Sequence, residues 1–131
     1  FAADGKLLRS WGEQGTGPGK FNVPHALWVT CDNRVVVLDR DNDRIQLFSR
    51  DGDLLDIWTG FTRPMDIWGN DEDELFVSDQ TPRILRFSPQ GKVLGIFRNL
   101  AQSPHGLYGD PKGNLFVADL NPNSITKYER I

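Results

Sequence analysis

The chain contains two histidines, and each follows a proline: Pro24-His25 and Pro104-His105, eighty residues apart. Midway between them stands Pro64-Met65-Asp66. Neutral imidazole is a common ligand for zinc and copper, whereas a thioether is a soft donor that suits copper better than zinc. His25 and His105 are therefore candidate ligands for zinc or another divalent ion, and for copper if Met65 joins them. Asp66 could be a further ligand or could hold a ligating histidine through its second ring nitrogen. A solvated or turn-binding carboxylate is the simpler reading of Asp66. Arg40 follows Asp39, whereas Gln80 and Leu120 stand at the positions forty and eighty residues on. A planar guanidinium there could take a carboxylate or phosphate and is the one candidate catalytic group, with a surface salt bridge as the plain alternative.

Other chemistries find less to work with. The glycine run over residues 12–19 lacks the Lys-Ser/Thr ending of a phosphate loop, and no helix follows it. No Ser-His-Asp nucleophile pattern is visible. Cys31 is the only cysteine, so the chain builds neither an internal disulfide nor a cysteine metal cluster. As a lone thiol it reads as a small core or half-buried residue.

The elements that must position these side chains repeat every forty residues. Pro24, Pro64 and Pro104 keep that spacing, as do Asp39, Asp79 and Asp119. Between them run Val35-Val36-Val37-Leu38-Asp39, Leu75-Phe76-Val77-Ser78-Asp79 and Leu115-Phe116-Val117-Ala118-Asp119. Short apolar and β-branched runs alternate with turn clusters such as Asp51-Gly52-Asp53, and no stretch holds a helical period. Strands are expected near 25–30, 35–40, 44–49 and 54–59, then 65–69, 74–79, 83–88 and 93–98, then 106–109, 114–119 and 124–130. Four short strands per forty residues is the signature of a β-propeller blade. The fold class is all-β, with three blades of the four-stranded type. Residues 21–60 form blade 1, 61–102 blade 2 and 103–131 blade 3, which lacks its outer strand. The recurring Phe48, Phe87 and Tyr128 are expected to pack between blades. Asp39, Asp79 and Asp119 are expected to accept backbone N–H groups of the following turns.

Composition agrees with a globular chain: 38% hydrophobic, 25% charged, and a net charge of −3 that offers no overall basic field for nucleic acid. No run of about 18 apolar residues is present, so no membrane helix is expected. The start at Phe1, without an initiator methionine, reads as a processed or truncated end.

The outer strand missing from blade 3 has a counterpart at the other end. Phe1-Ala2-Ala3-Asp4-Gly5-Lys6-Leu7-Leu8 matches Phe48-Ser49-Arg50-Asp51-Gly52-Asp53-Leu54-Leu55. Residues 6–12 thus read as an outer strand, and 1–20 as an exchanged strand and linker. Propellers close with about 4–8 blades, so a homodimer is expected, each chain lending residues 1–12 to the other in a six-bladed ring. A protein or small-molecule ligand at the channel mouth is the further expectation.

The segments Pro24-His25-Ala26-Leu27 and Val37-Leu38-Asp39-Arg40-Asp41-Asn42-Asp43-Arg44-Ile45-Gln46-Leu47-Phe48, with the lead-in from Trp11 to Pro24, resemble the NHL repeat family. Among functional relatives the resemblance points to the peptidyl-hydroxyglycine amidating lyases. It implies a six-bladed NHL propeller with zinc held in the channel by Pro-His histidines, matched here by His25 and His105, and a substrate-binding arginine matched by Arg40. The lyase's tyrosine after a Val-Ser-Asp motif has no counterpart, because Val77-Ser78-Asp79 continues as Gln80-Thr81-Pro82-Arg83. A binding or scaffold module is the first expectation, and a metal-dependent lyase the alternative.

Overall fold

The computed structural model describes residues 4–98 and 102–129, and these form three antiparallel sheets. Strands β1 (Pro24–Val29), β2 (Val35–Asp39), β3 (Arg44–Phe48) and β4 (Leu54–Trp58) make the first. Strands β5 (Asp66–Gly69), β6 (Leu75–Asp79), β7 (Arg83–Phe87) and β8 (Val93–Arg98) make the second. The third has β9 (Pro104–Gly109), β10 (Leu115–Asp119) and β11 (Ser124–Tyr128). Every strand pairs with its neighbour in sequence, so each sheet is an up-and-down meander. One 3-10 turn, Arg40–Asn42, interrupts the all-β pattern between β2 and β3.

Residues 6–12 form no strand in the single chain, where no strand among the described residues lies beside them to receive their N–H and C=O groups; the pairing expected of them is with a second copy. One expectation fails locally. Cys31 is exposed rather than half-buried. It lies in the β1–β2 turn, which recurs as Thr30–Asn33, Asn70–Asp73 and Asp110–Gly113, each closed by a bond from the last N–H to the first carbonyl at 2.9–3.0 Å. Its neighbours are acidic: the hydrogen bond to the Asp73 carboxylate, then that group's charge, push the thiol above its ordinary pKa.

The repeated aspartates do more than cap a turn. Asp39, Asp79 and Asp119 accept the N–H of Asn22, Thr62 and Gln102 at 2.7, 3.2 and 2.7 Å. Each bond ties the segment entering a blade to the end of its second strand. Bonds from the following turn exist at Thr81 (3.1 Å) and Asn121 (3.3 Å), but the tie from seventeen residues upstream recurs in every blade. Arg44 and Arg83 neutralise Asp39 and Asp79 at 2.7 Å. Blade 3 has Ser124 at that position. Arg44 also donates to the carbonyls of Thr16, Gly17 and Lys20, which pins the glycine-rich linker as a strap over blade 1.

The core lies between sheets. Leu38, Ile67, Val77 and Phe87 belong to the cluster joining blades 1 and 2, while Trp68, Ile84, Leu107 and Val117 join blades 2 and 3. Burying a side chain of this size stabilises by about 1.5–3 kcal/mol. Close approach depends on glycine: a Cβ on Gly69 would lie 2.4 Å from Trp28, and one on Gly109 would lie 2.3 Å from Trp68. Each indole therefore rests on bare backbone of the next blade. Phe48 meets Trp11 and Phe21, and Phe87 meets Trp58 and Phe61, all with centroids within 6.1 Å.

Candidate functional site

The two histidines are placed by the same irregularity. In β1 the pairing shifts between Pro24, opposite Asp39, and Ala26, opposite Leu38, so His25 is the extra residue of a β-bulge. In β9 the pairing passes from Pro104, opposite Asp119, to Gly106, opposite Ala118, which leaves His105 in the equivalent place. A bulge re-aims the side chain of its unpaired residue, and proline, lacking an N–H, fits the first position of such a strand. The result brings together residues two blades apart. The His25 and His105 rings meet edge to face with centroids 5.3 Å apart.

The His25 tautomer follows from its neighbour. Its Nδ1 lies 2.6 Å from the carbonyl oxygen of Met65, which only accepts, so Nδ1–H donates and, in the neutral ring, Nε2 carries the lone pair. A backbone carbonyl on one ring nitrogen is how proteins orient a histidine whose other nitrogen binds a metal. The two rings are both partly buried, so a ligand could reach them. Among the described residues no three His, Cys, Asp or Glu side chains gather into a metal-sized cluster.

The other candidates sit close by with committed partners. Met65 lies just before β5, and its buried sulfur receives the Gln80 side-chain amide at 3.5 Å. Asp66 accepts the N–H of Leu107 at 2.7 Å and that of Ile67 at 2.9 Å, so it clamps blade 2 to blade 3. Arg40 donates from Nε to Asp41 at 2.8 Å, and Asp41 also lies 3.3 Å from Arg63. The hydrogen bond from Arg40 holds the Asp41 carboxyl below the ordinary range. A carboxylate or phosphate reaching Arg40 would have to compete with Asp41.

Two features escaped the sequence reading. The bulges have a partial signal in the Pro-His pairs, but period-two alternation alone does not reveal a single extra residue. The left-handed residues ahead of two of the prolines, Val23 at φ +57 and Arg63 at φ +46, had none, because β-branched valine disfavours that region.

The chain is 34% identical over 157 aligned positions, covering 98% of its length, to NHL repeat-containing protein 3 of Mus musculus. Its human counterpart is 39% identical over 94 positions, covering 72% of the chain. The chain belongs to the NHL-repeat propeller family. This NHL segment spans 41% of the mouse relative and 23% of the human one. It is also 28% identical to the human E3 ubiquitin-protein ligase TRIM32 over 91% of its own length and 21% of that protein's. No protein-family model matches the sequence. Among solved structures, virginiamycin B lyase of Staphylococcus aureus, an inactive variant with quinupristin, superposes with a TM-score of 0.74 at 18% identity. The match takes in 97% of this NHL chain and 46% of the lyase. A second structure of that lyase gives 0.65 at 17% identity over 82% and 41%. At such identity the lyases share the propeller fold.

Proposed function

We propose that this NHL segment is a binding and scaffold module, half of a six-bladed ring that a second copy completes, with a divalent metal, zinc or copper, held at the axis. One observation carries this reading: His25 and His105, two blades apart, stand 5.3 Å from each other with His25 Nε2 left as a lone-pair donor. One chain supplies two imidazoles, and a two-fold ring would supply four. Four neutral imidazoles suit zinc, whereas recruiting Met65 would favour copper at the cost of its contact with Gln80. The ring would offer a protein or small-molecule ligand a mouth edged by the Arg40–Asp41–Arg63 group.

The test is metal analysis of untagged protein after loading with zinc or copper and desalting. The expected result is metal bound at a fixed ratio to dimer, and its loss in the His25→Ala, His105→Ala double variant, which stays dimeric. Metal retained by that variant overturns the axial site.

A further inference from the structure

Outer-rim packing follows a rule in which an aromatic of one outer segment lies over the turn glycine of the next blade. Trp11 covers Gly52, where a Cβ would come within 3.0 Å of the indole, and Trp58 covers Gly91, where it would come within 2.4 Å. Both glycines precede an outer strand and hold left-handed backbone, φ +89 and +79. Such a position admits neither a Cβ nor, without strain, an L side chain.

Two members of this series are unpaired among the described residues, and they are complementary. Phe97 of β8 occupies the place that Trp58 has in β4, since Val93-Leu94-Gly95-Ile96-Phe97 aligns with Leu54-Leu55-Asp56-Ile57-Trp58. No outer turn of blade 3 lies under it among the described residues. Phe97 is 39% exposed, and its ring lies beside Gly95 of its own strand. At the opposite end Asp4-Gly5-Lys6-Leu7 repeats Asp51-Gly52-Asp53-Leu54. Gly5 already has the matching φ of +81, yet nothing lies within 4 Å of where its Cβ would be. Among the described residues, Phe97 has no turn glycine beneath it and the preformed turn glycine Gly5 has no aromatic above it.

We infer that Phe97 of one copy seats on Gly5 of a second copy, whose following residues then occupy the open edge of β11. The inference rests on the ring reading above and specifies its partner and register. Residues 6–11 would run along β11, restoring the fourth strand of blade 3 by main-chain bonding. Trp11 would then occupy, for blade 3, the place held by Trp58 in blade 1. A longer polypeptide that supplies its own glycine to Phe97 is the competing occupant.

Two measurements on the full 131-residue chain test it. In a Cys31→Ser background, the pair Gly5→Cys and Phe97→Cys should be joined into a covalent dimer by a short bis-maleimide, which spans the gap an aromatic ring fills and a disulfide does not. In the second, Gly5→Asn keeps a residue that tolerates left-handed backbone while adding a side chain beneath Phe97. It should raise the dimer dissociation constant about tenfold or more, and the same change in a Phe97→Ala background should matter less than about threefold, as contacting residues couple. A wild-type dimer without the cross-link, or with independent effects of the two changes, overturns the inference and leaves the ring standing. A wild-type chain that stays single at every concentration overturns both.

Discussion

Blade 2 has a blade on each flank, whereas blades 1 and 3 have one each, and the same repeat residues fare differently in the three places. Ile67 of blade 2 is 4% exposed, but Leu27 at that position in blade 1 is 60% exposed. Ile84 is 1% exposed and its blade 3 equivalent Ile125 is 71% exposed; Trp68 is 8% exposed and Tyr108 is 67% exposed. The residues are alike in type, so their burial is a property of the neighbour and not of the blade. A blade is a sheet with two apolar faces, and each face is stabilised only when another sheet covers it. The open flanks of blades 1 and 3 carry interior-type residues that no other sheet covers among the described residues.

The comparison breaks most visibly at the indoles. Trp68→Ala should destabilise the chain by about 3–5 kcal/mol, since it empties the seat over Gly109. Tyr108→Ala should change the stability of a single chain by less than about 0.5 kcal/mol. Denaturant midpoints check both, and an equal cost would mean that Tyr108 is already covered. The carboxylates come next. Asp79→Ala strands Arg83 at a nearly buried site and should cost about 3–5 kcal/mol. Asp119→Ala, where the bonds come from backbone N–H groups, should cost about 1–3 kcal/mol. Reversal of that order would remove the arginine from the account.

A smaller effect sharpens the inner packing. Gly109→Ala places a methyl where the Trp68 ring lies and should cost about 1–3 kcal/mol, as overpacking does. Tyr108 and Val29 stand where an indole and a glycine would be expected, so Val29→Gly should be near neutral in a single chain and should alter association if the flanks meet. The smallest effect concerns Cys31. With its pKa raised by Asp73, less thiolate is present at a given pH than for an ordinary cysteine, so alkylation at pH 8 should be slow. Asp73→Asn should speed it and move the pH–rate curve to lower pH. An unchanged curve would dismiss the carboxylate's role.

Much of this architecture was written in the forty-residue spacing. The prolines and aspartates gave the order and placing of the strands, and the ends of all eleven named strands lie within two residues of expectation. What the spacing could not give was context. Residues 6–12 have the outer-strand pattern of 54–58 but no sheet to join, because pairing is a property of two segments. Cys31 reads as a small apolar residue, but it follows the strand end into a tight turn that carries it to the surface. At the axis, the Pro-His pairs identified the two histidines, while their meeting depended on bulges that alternation does not encode. Arg40 differs from its counterparts Gln80 and Leu120, yet its partner Asp41 stands next to it in the chain and claims the guanidinium.

The most direct test is the mass of the 131-residue chain by sedimentation equilibrium over a wide concentration range. A ring of two copies has twice the single-chain mass of 14.8 kDa, and that is the expected result. Compact β-structured particles of 14.8 kDa at every concentration would contradict it.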